Sequence, residues 1–110
     1  MSVLILTHAA CVAHDPGPHH PECPDRWRAV TRALEAALRS AGAAVAAVDA
    51  VCTGPIRHAF CATRPPGHHA EPTRPMGFCV FANAAIAARH AQAVHGLKRV
   101  AVADFDVHHG

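Results

Sequence analysis

Hydrophobic residues fall along this chain in two rhythms, separated by polar and proline-rich stretches. Val3-Leu4-Ile5-Leu6 is an aliphatic run without alternation, as expected of a strand buried on both faces of a parallel sheet. Ala59-Phe60-Cys61-Ala62, stopped by Arg64-Pro65-Pro66-Gly67, and Val100-Ala101-Val102-Ala103 give the same reading. Elsewhere the period is helical. After Pro24, a residue suited to the first helical position, Trp27, Val30, Ala33 or Leu34, and Leu38 recur at three to four residue spacing. The Ala-rich stretch 41–51 also favours helix, with Val45, Val48 and Cys52 on one face and Gly54-Pro55 as the stop; Gly42 leaves one helix or two open. A further helix is predicted over residues 83–95. The closing order of strand, loop, helix and strand suggests a right-handed crossover unit, so the predicted fold class is α/β.

One segment fits neither rhythm. Residues 14–24 hold four prolines and a glycine, which forbids regular helix or central strand and leaves a loop that lies at the surface or lines a site.

With 110 residues and 51% hydrophobic content the chain is long enough for one small domain and too short for two. Its ten Lys and Arg residues are scattered, which argues against direct nucleic-acid binding. The five cysteines are odd in number and lack CxxC spacing, so they read as reduced thiols. The N-terminus has no basic region before its apolar run, unlike a signal peptide, and no apolar stretch is expected to reach the ~20 residues of a membrane span. The expected location is cytoplasmic, without a membrane partner; the oligomeric state is unknown from the sequence.

Eleven histidines bring the chemistry. In open parallel sheets, ligands collect outside the carboxyl ends of the strands. There strand 59–62 delivers His68 and His69 through a Pro-Gly turn, and strand 100–103 runs into Asp104, Asp106 and His108. Alternation along an extended segment places Asp104, Asp106 and His108 on one side, with Phe105, Val107 and His109 on the other. Aspartate oxygen and imidazole nitrogen are zinc ligands, so Asp106 and His108 are candidates for two positions. His68 and His69 suit proton transfer beside a metal-bound water, and Asp104 suits the acceptor that fixes the tautomer of His68. Two further sets, His14 with His19, His20 and Cys23, and Cys52 with His58 and Cys61, have passable ligand spacing but resemble no closed structural zinc motif. His8, His90 and His95 read as solvated imidazoles at strand-end or helix surfaces.

Three motifs, Arg64-Pro65-Pro66-Gly67-His68-His69-Ala70, Gly77-Phe78-Cys79 and Asp104-Phe105-Asp106-Val107-His108-His109-Gly110, resemble the histone deacetylase and acetylpolyamine amidohydrolase family. The loop with His14-Asp15, His20-Pro21-Glu22 and Asp25-Arg26 is similar to the first active-site loop of the class II and bacterial branch. The resemblance implies a three-layer, arginase-like parallel sheet with flanking helices, here partial. It implies zinc-dependent hydrolysis of N-acetyl-lysine or acetylpolyamine-like substrates, with His68 and His69 as the proton-transfer pair supported by Asp104, and with Asp106 and His108 as zinc ligands. Gly77 and Phe78 would border the substrate, His20, Pro21 and Glu22 would form the active-site loop, and backbone oxygens of Asp104, Asp106 and His108 would border a potassium ion.

Set against that family, the chain is expected to be an N-terminal fragment forming one incomplete domain over residues 1–110. Residues 1–35 would carry the first strand, the active-site loop and a helix, and residues 36–110 the remainder, joined across an internal deletion. The family's third zinc ligand, a later Asp, and its oxyanion-stabilising Tyr have no counterpart, and the chain contains no Tyr. Cys23 and Ala82 stand where the family commonly has Arg and Asn. Two other readings stay open: an inactive remnant or weak metal-binding module, and a related arginase-like hydrolase using two manganese ions.

Overall fold

The computed structural model describes residues 7–21 and 23–110. The strand expected over residues 3–6, and Glu22 of the expected active-site loop, lie outside the described residues. The chain divides into two units, Met1–Glu35 and Ala36–Gly110.

The first unit contains a short 3-10 helix, Ala9–Ala13, whose start is capped by the His8 ring accepting from the Ala10 N–H at 3.1 Å. In the Pro-rich loop the Asp15 carboxylate accepts from the Gly17 N–H at 3.0 Å, and Gly17 at φ 106° lies in a region that side chains rarely enter. The Trp27 indole N–H donates to Thr7 Oγ1 at 3.0 Å.

Helix α1, Pro24–Thr53, begins in the first unit and continues into the second. Pro24 opens it where a missing N–H costs nothing, and Asp25 in the first turn bonds Arg28 at 2.7 Å. Gly42 does not divide it. A single glycine costs about 1 kcal/mol of helix propensity, which its alanine neighbours absorb. The helix ends where Gly54 donates to the Ala50 carbonyl at 3.0 Å; a Cβ at Gly54 would lie 2.5 Å from that oxygen. By length and composition alone α1 is long and apolar enough to cross a membrane, which corrects the expectation that no stretch reaches that length. Alanine is the reason, since it scores as apolar while favouring helix in any solvent. Within α1, Ala37 and Ser40 are buried, and Ser40 and Asp49 bond residues outside the helix.

Helix α2, Asn83–His95, forms over the residues predicted. Ala82 at its N-cap supplies no side-chain bond, while Gly96 ends it at φ 67° with its N–H turned back to the Ala91 carbonyl. Ser40, Thr63, Pro65 and Asn83 join the two helices to the loop between them. Ser40 Oγ lies 2.9 Å from the Pro65 carbonyl and 3.1 Å from Thr63 Oγ1, and the Asn83 amide donates to Ser40 at 3.0 Å. Ser40 is 2% exposed, so its bonds replace water that cannot reach it.

The parallel sheet is not formed among the described residues. Residues 59–62 and 100–103 have no regular secondary structure, and the one bridge is the isolated antiparallel pair Met76 and Cys79. A strand exists only through a neighbour that takes up its N–H and C=O groups, and neither segment has one among the described residues. Consequently Phe60 is 92% and Val102 60% exposed, and the buried apolar positions are Ala37, Cys79 and Ala91.

Candidate active site

The candidate site is assembled within the second unit from two loops. The first follows Pro65 and Pro66 and reaches His68 and His69 through Gly67, which is seated so closely on the start of α2 that an added Cβ would lie 2.6 Å from the Asn83 nitrogen. The second is residues 104–110, in which each aspartate folds back on the residue two positions ahead. Asp104 Oδ1 accepts from the Asp106 N–H at 3.0 Å, and Asp106 Oδ1 from the His108 N–H at 2.8 Å. These are Asx turns, which aspartate makes readily because its short side chain reaches that N–H. They replace the plain extended run anticipated there and still gather Asp104, Asp106 and His108 while Phe105 and Val107 stand 98% and 92% exposed.

The loops meet at His68, whose Nδ1 lies 2.9 Å from Asp104 Oδ2. This is the hydrogen bond expected from metal-site logic, and it leaves the Nε2 side of the ring for other chemistry. The His68 and His69 rings stack with centroids 4.0 Å apart, and His69 meets His108 edge-on at 6.3 Å. The Asp106 N–H and then the His68 ring hold the Asp104 carboxyl below the usual carboxylate range. The His108 N–H and then its ring do the same for Asp106. Both carboxylates therefore stay ionised into mild acid, as ligands and hydrogen-bond acceptors must.

Asp106 Oδ1 and His108 Nδ1 are 3.0 Å apart. Two ligands of one tetrahedral ion bound at about 2.0–2.1 Å stand slightly farther apart, at roughly 3.3 Å, so the pair fits two positions of such a site. A third donor does not join them; among the described residues the group of three metal-capable side chains lies elsewhere, at Asp49, His90 and His95.

Gly77 and Phe78 form a tight reversal. Met76 and Cys79 exchange backbone bonds of 3.0 and 2.8 Å, and the two residues between them have φ values of 51° and 65°. Both central residues at positive φ is the pattern of a type I′ turn. Gly77 satisfies it without strain and packs its bare Cα against the His69 ring, where a Cβ would collide. Phe78 adopts it at a cost and holds its ring 92% exposed beside the histidine pair's loop. Cys79, 1% exposed, anchors the turn: its sulfur accepts from the His69 N–H and donates to the Gly77 carbonyl, each at 3.4 Å. A groove of about 710 Å³, lined by Gly67, His68, Asn83, Val102, Asp104 and Phe105 among others, borders the His68–Asp104 pair. His20 and Pro21 lie in the first unit, exposed on its loop.

Asp49, His90 and His95 escaped the sequence reading. His90 and His95 are not solvated as expected, for both Nε2 atoms bond Asp49 Oδ1, at 2.6 and 2.7 Å. The residues stand 41 and 46 positions from Asp49, and no local pattern reports such a convergence.

The chain belongs to the histone deacetylase domain family, whose model matches residues 22–110, the stretch that carries the histidine pair, Asp104 and the Asp-x-His segment. Among its relatives are histone deacetylase 14, chloroplastic, of Arabidopsis thaliana, 54% identical over 89 residues, covering 74% of this chain and 21% of the relative. The histone deacetylase-like amidohydrolase of Pseudomonas aeruginosa is 57% identical over 76 residues, 69% of this chain and 20% of the relative. The polyamine deacetylase HDAC10 of Homo sapiens is 54% identical over 71 residues, 64% of this chain and 11% of the relative. The chain thus spans about a fifth or less of the length of these relatives.

Proposed function

We propose that this chain carries the proton-transfer half, and two metal ligands, of a zinc-dependent amidohydrolase centre that acts on N-acetylated amines, such as acetyl-lysine or acetylpolyamines. The reading rests on the His68–Asp104 bond beside the stacked His69 ring. Hydrolysis forms a C–O bond from water to the acyl carbon and breaks the C–N bond. One proton must leave the attacking water and one must reach the departing amine nitrogen. His68 and His69 would do both, with Asp104 bonded to the Nδ1 side of His68 and fixing the orientation of that ring. Asp106 and His108 would hold zinc, which supplies Lewis acidity to the water and the acyl oxygen. Phe78 presents an apolar face to the substrate's methylene chain.

The test is acetyl-lysine and acetylated-diamine hydrolysis by the chain with added Zn²⁺. Turnover above that of a His68→Ala/His69→Ala control supports the proposal, and turnover equal to the control rejects it. The pairing of only two donors at Asp106 and His108 favours one second reading, a metal-binding module without hydrolysis. Loss of one equivalent of bound zinc on Asp106→Ala, with no turnover in the unsubstituted chain, selects it.

A further inference from the structure

We propose that Asp49, His90 and His95 form a second divalent transition-metal site, with no ligand in common with Asp106 and His108, that pins the C-terminal half of α1 to the end of α2. It stands whether or not the chain hydrolyses acetylamides. One ligand atom from each residue lies within 4.8 Å of the other two, and both imidazole Nε2 atoms aim at the same carboxylate oxygen. The rings approach it from different directions, with centroids 5.6 Å apart and planes at 76°. Positions 90 and 95 are five residues apart, about 140° around a helix, so they converge only because two long side chains reach around to one point between the helices. The imidazoles are 21% and 14% exposed, while the Asp49 side chain is 47% exposed. The nitrogen donors are therefore shielded and the carboxylate side is open to an entering ion.

Two imidazole nitrogens and one carboxylate oxygen are the donor set of zinc, cobalt and nickel sites, with water completing the shell. Without metal, the Nε2 positions of both rings bond a single Asp49 oxygen. On binding, each ring carries its proton on Nδ1 and turns the Nε2 lone pair to the ion. The donors open from 2.6–2.7 Å to roughly 3.3 Å, a rotation the half-exposed Asp49 permits.

The experiment uses the full chain carrying Asp106→Ala and His108→Ala, so that zinc at the candidate active site does not contribute. Calorimetric titration with Zn²⁺ should give one ion per chain, with a dissociation constant on the order of micromolar. Adding His90→Gln and His95→Gln keeps side-chain N–H donors for Asp49 yet removes the imidazole ligands. Affinity should then fall by about a hundredfold or more, the upper end of what even outer-shell changes cause. In the unsubstituted chain, long-range proton–nitrogen spectra should show the Nε2 signals of His90 and His95 moving on Zn²⁺ addition. Binding that the Gln pair leaves unchanged, or Nε2 signals that do not respond to Zn²⁺, overturns the proposal and leaves a metal-free clamp.

Discussion

Phe78 shows how one residue can be set against its own backbone. A bulky side chain at φ 65° pays a penalty that asparagine largely avoids, so Phe78→Asn should raise stability by about 1 kcal/mol in urea titration. In an active chain the same change should raise KM for acetylated substrates, because the exposed ring is lost. Asp49 makes a different prediction. Its carboxyl lies below the ordinary value of 3.8, first because His90 and then because His95 hydrogen-bonds it. A carboxyl with a folded pKa below its unfolded value stabilises the fold fully above the unfolded value, and that contribution fades as pH falls through the folded one. Against Asp49→Asn, the unsubstituted chain should therefore keep a constant stability advantage at neutral pH and lose it only below 3.8, as followed by helical circular dichroism during acid titration.

The helices were largely written in the sequence, whereas the strands were not. Pro24 and the alanine run marked α1, and Asn83 to His95 gave α2, because helical bonds are satisfied within the segment itself. Strand propensity at Phe60 or Val102 identifies a candidate without supplying the neighbour that would pair with it. The His68–Asp104 contact was foreseeable from chemistry, since a metal-site imidazole wants an acceptor on its other nitrogen. The Asp49 convergence was not, because it joins distant positions by side-chain reach. Gly42 separates propensity from packing cleanly: a Cβ there meets nothing within 4 Å, so Gly42→Ala should stabilise α1 by about 0.5–1 kcal/mol in thermal melts. Ser40 is the opposite case. Ser40→Ala removes the acceptor of the Asn83 amide and the buried hydroxyl beside Pro65, and should cost about 1–3 kcal/mol in the same melts.

Across the described residues, apolar side chains that belong in an interior stand in water. Phe60, Phe105 and Val107 are each more than 90% exposed, while the buried apolar set consists of two alanines and a cysteine. Exposed aromatic surface on unpaired backbone promotes association, so Phe60→Ser with Phe105→Ser should reduce self-association in sedimentation velocity. Because both rings are exposed, folding stability should change by no more than about 0.5 kcal/mol. In a cell the bare rings would make the chain a standing client of holdases and proteases, which recognise such surface. Its abundance would then be governed by how quickly Phe60 and Phe105 find cover.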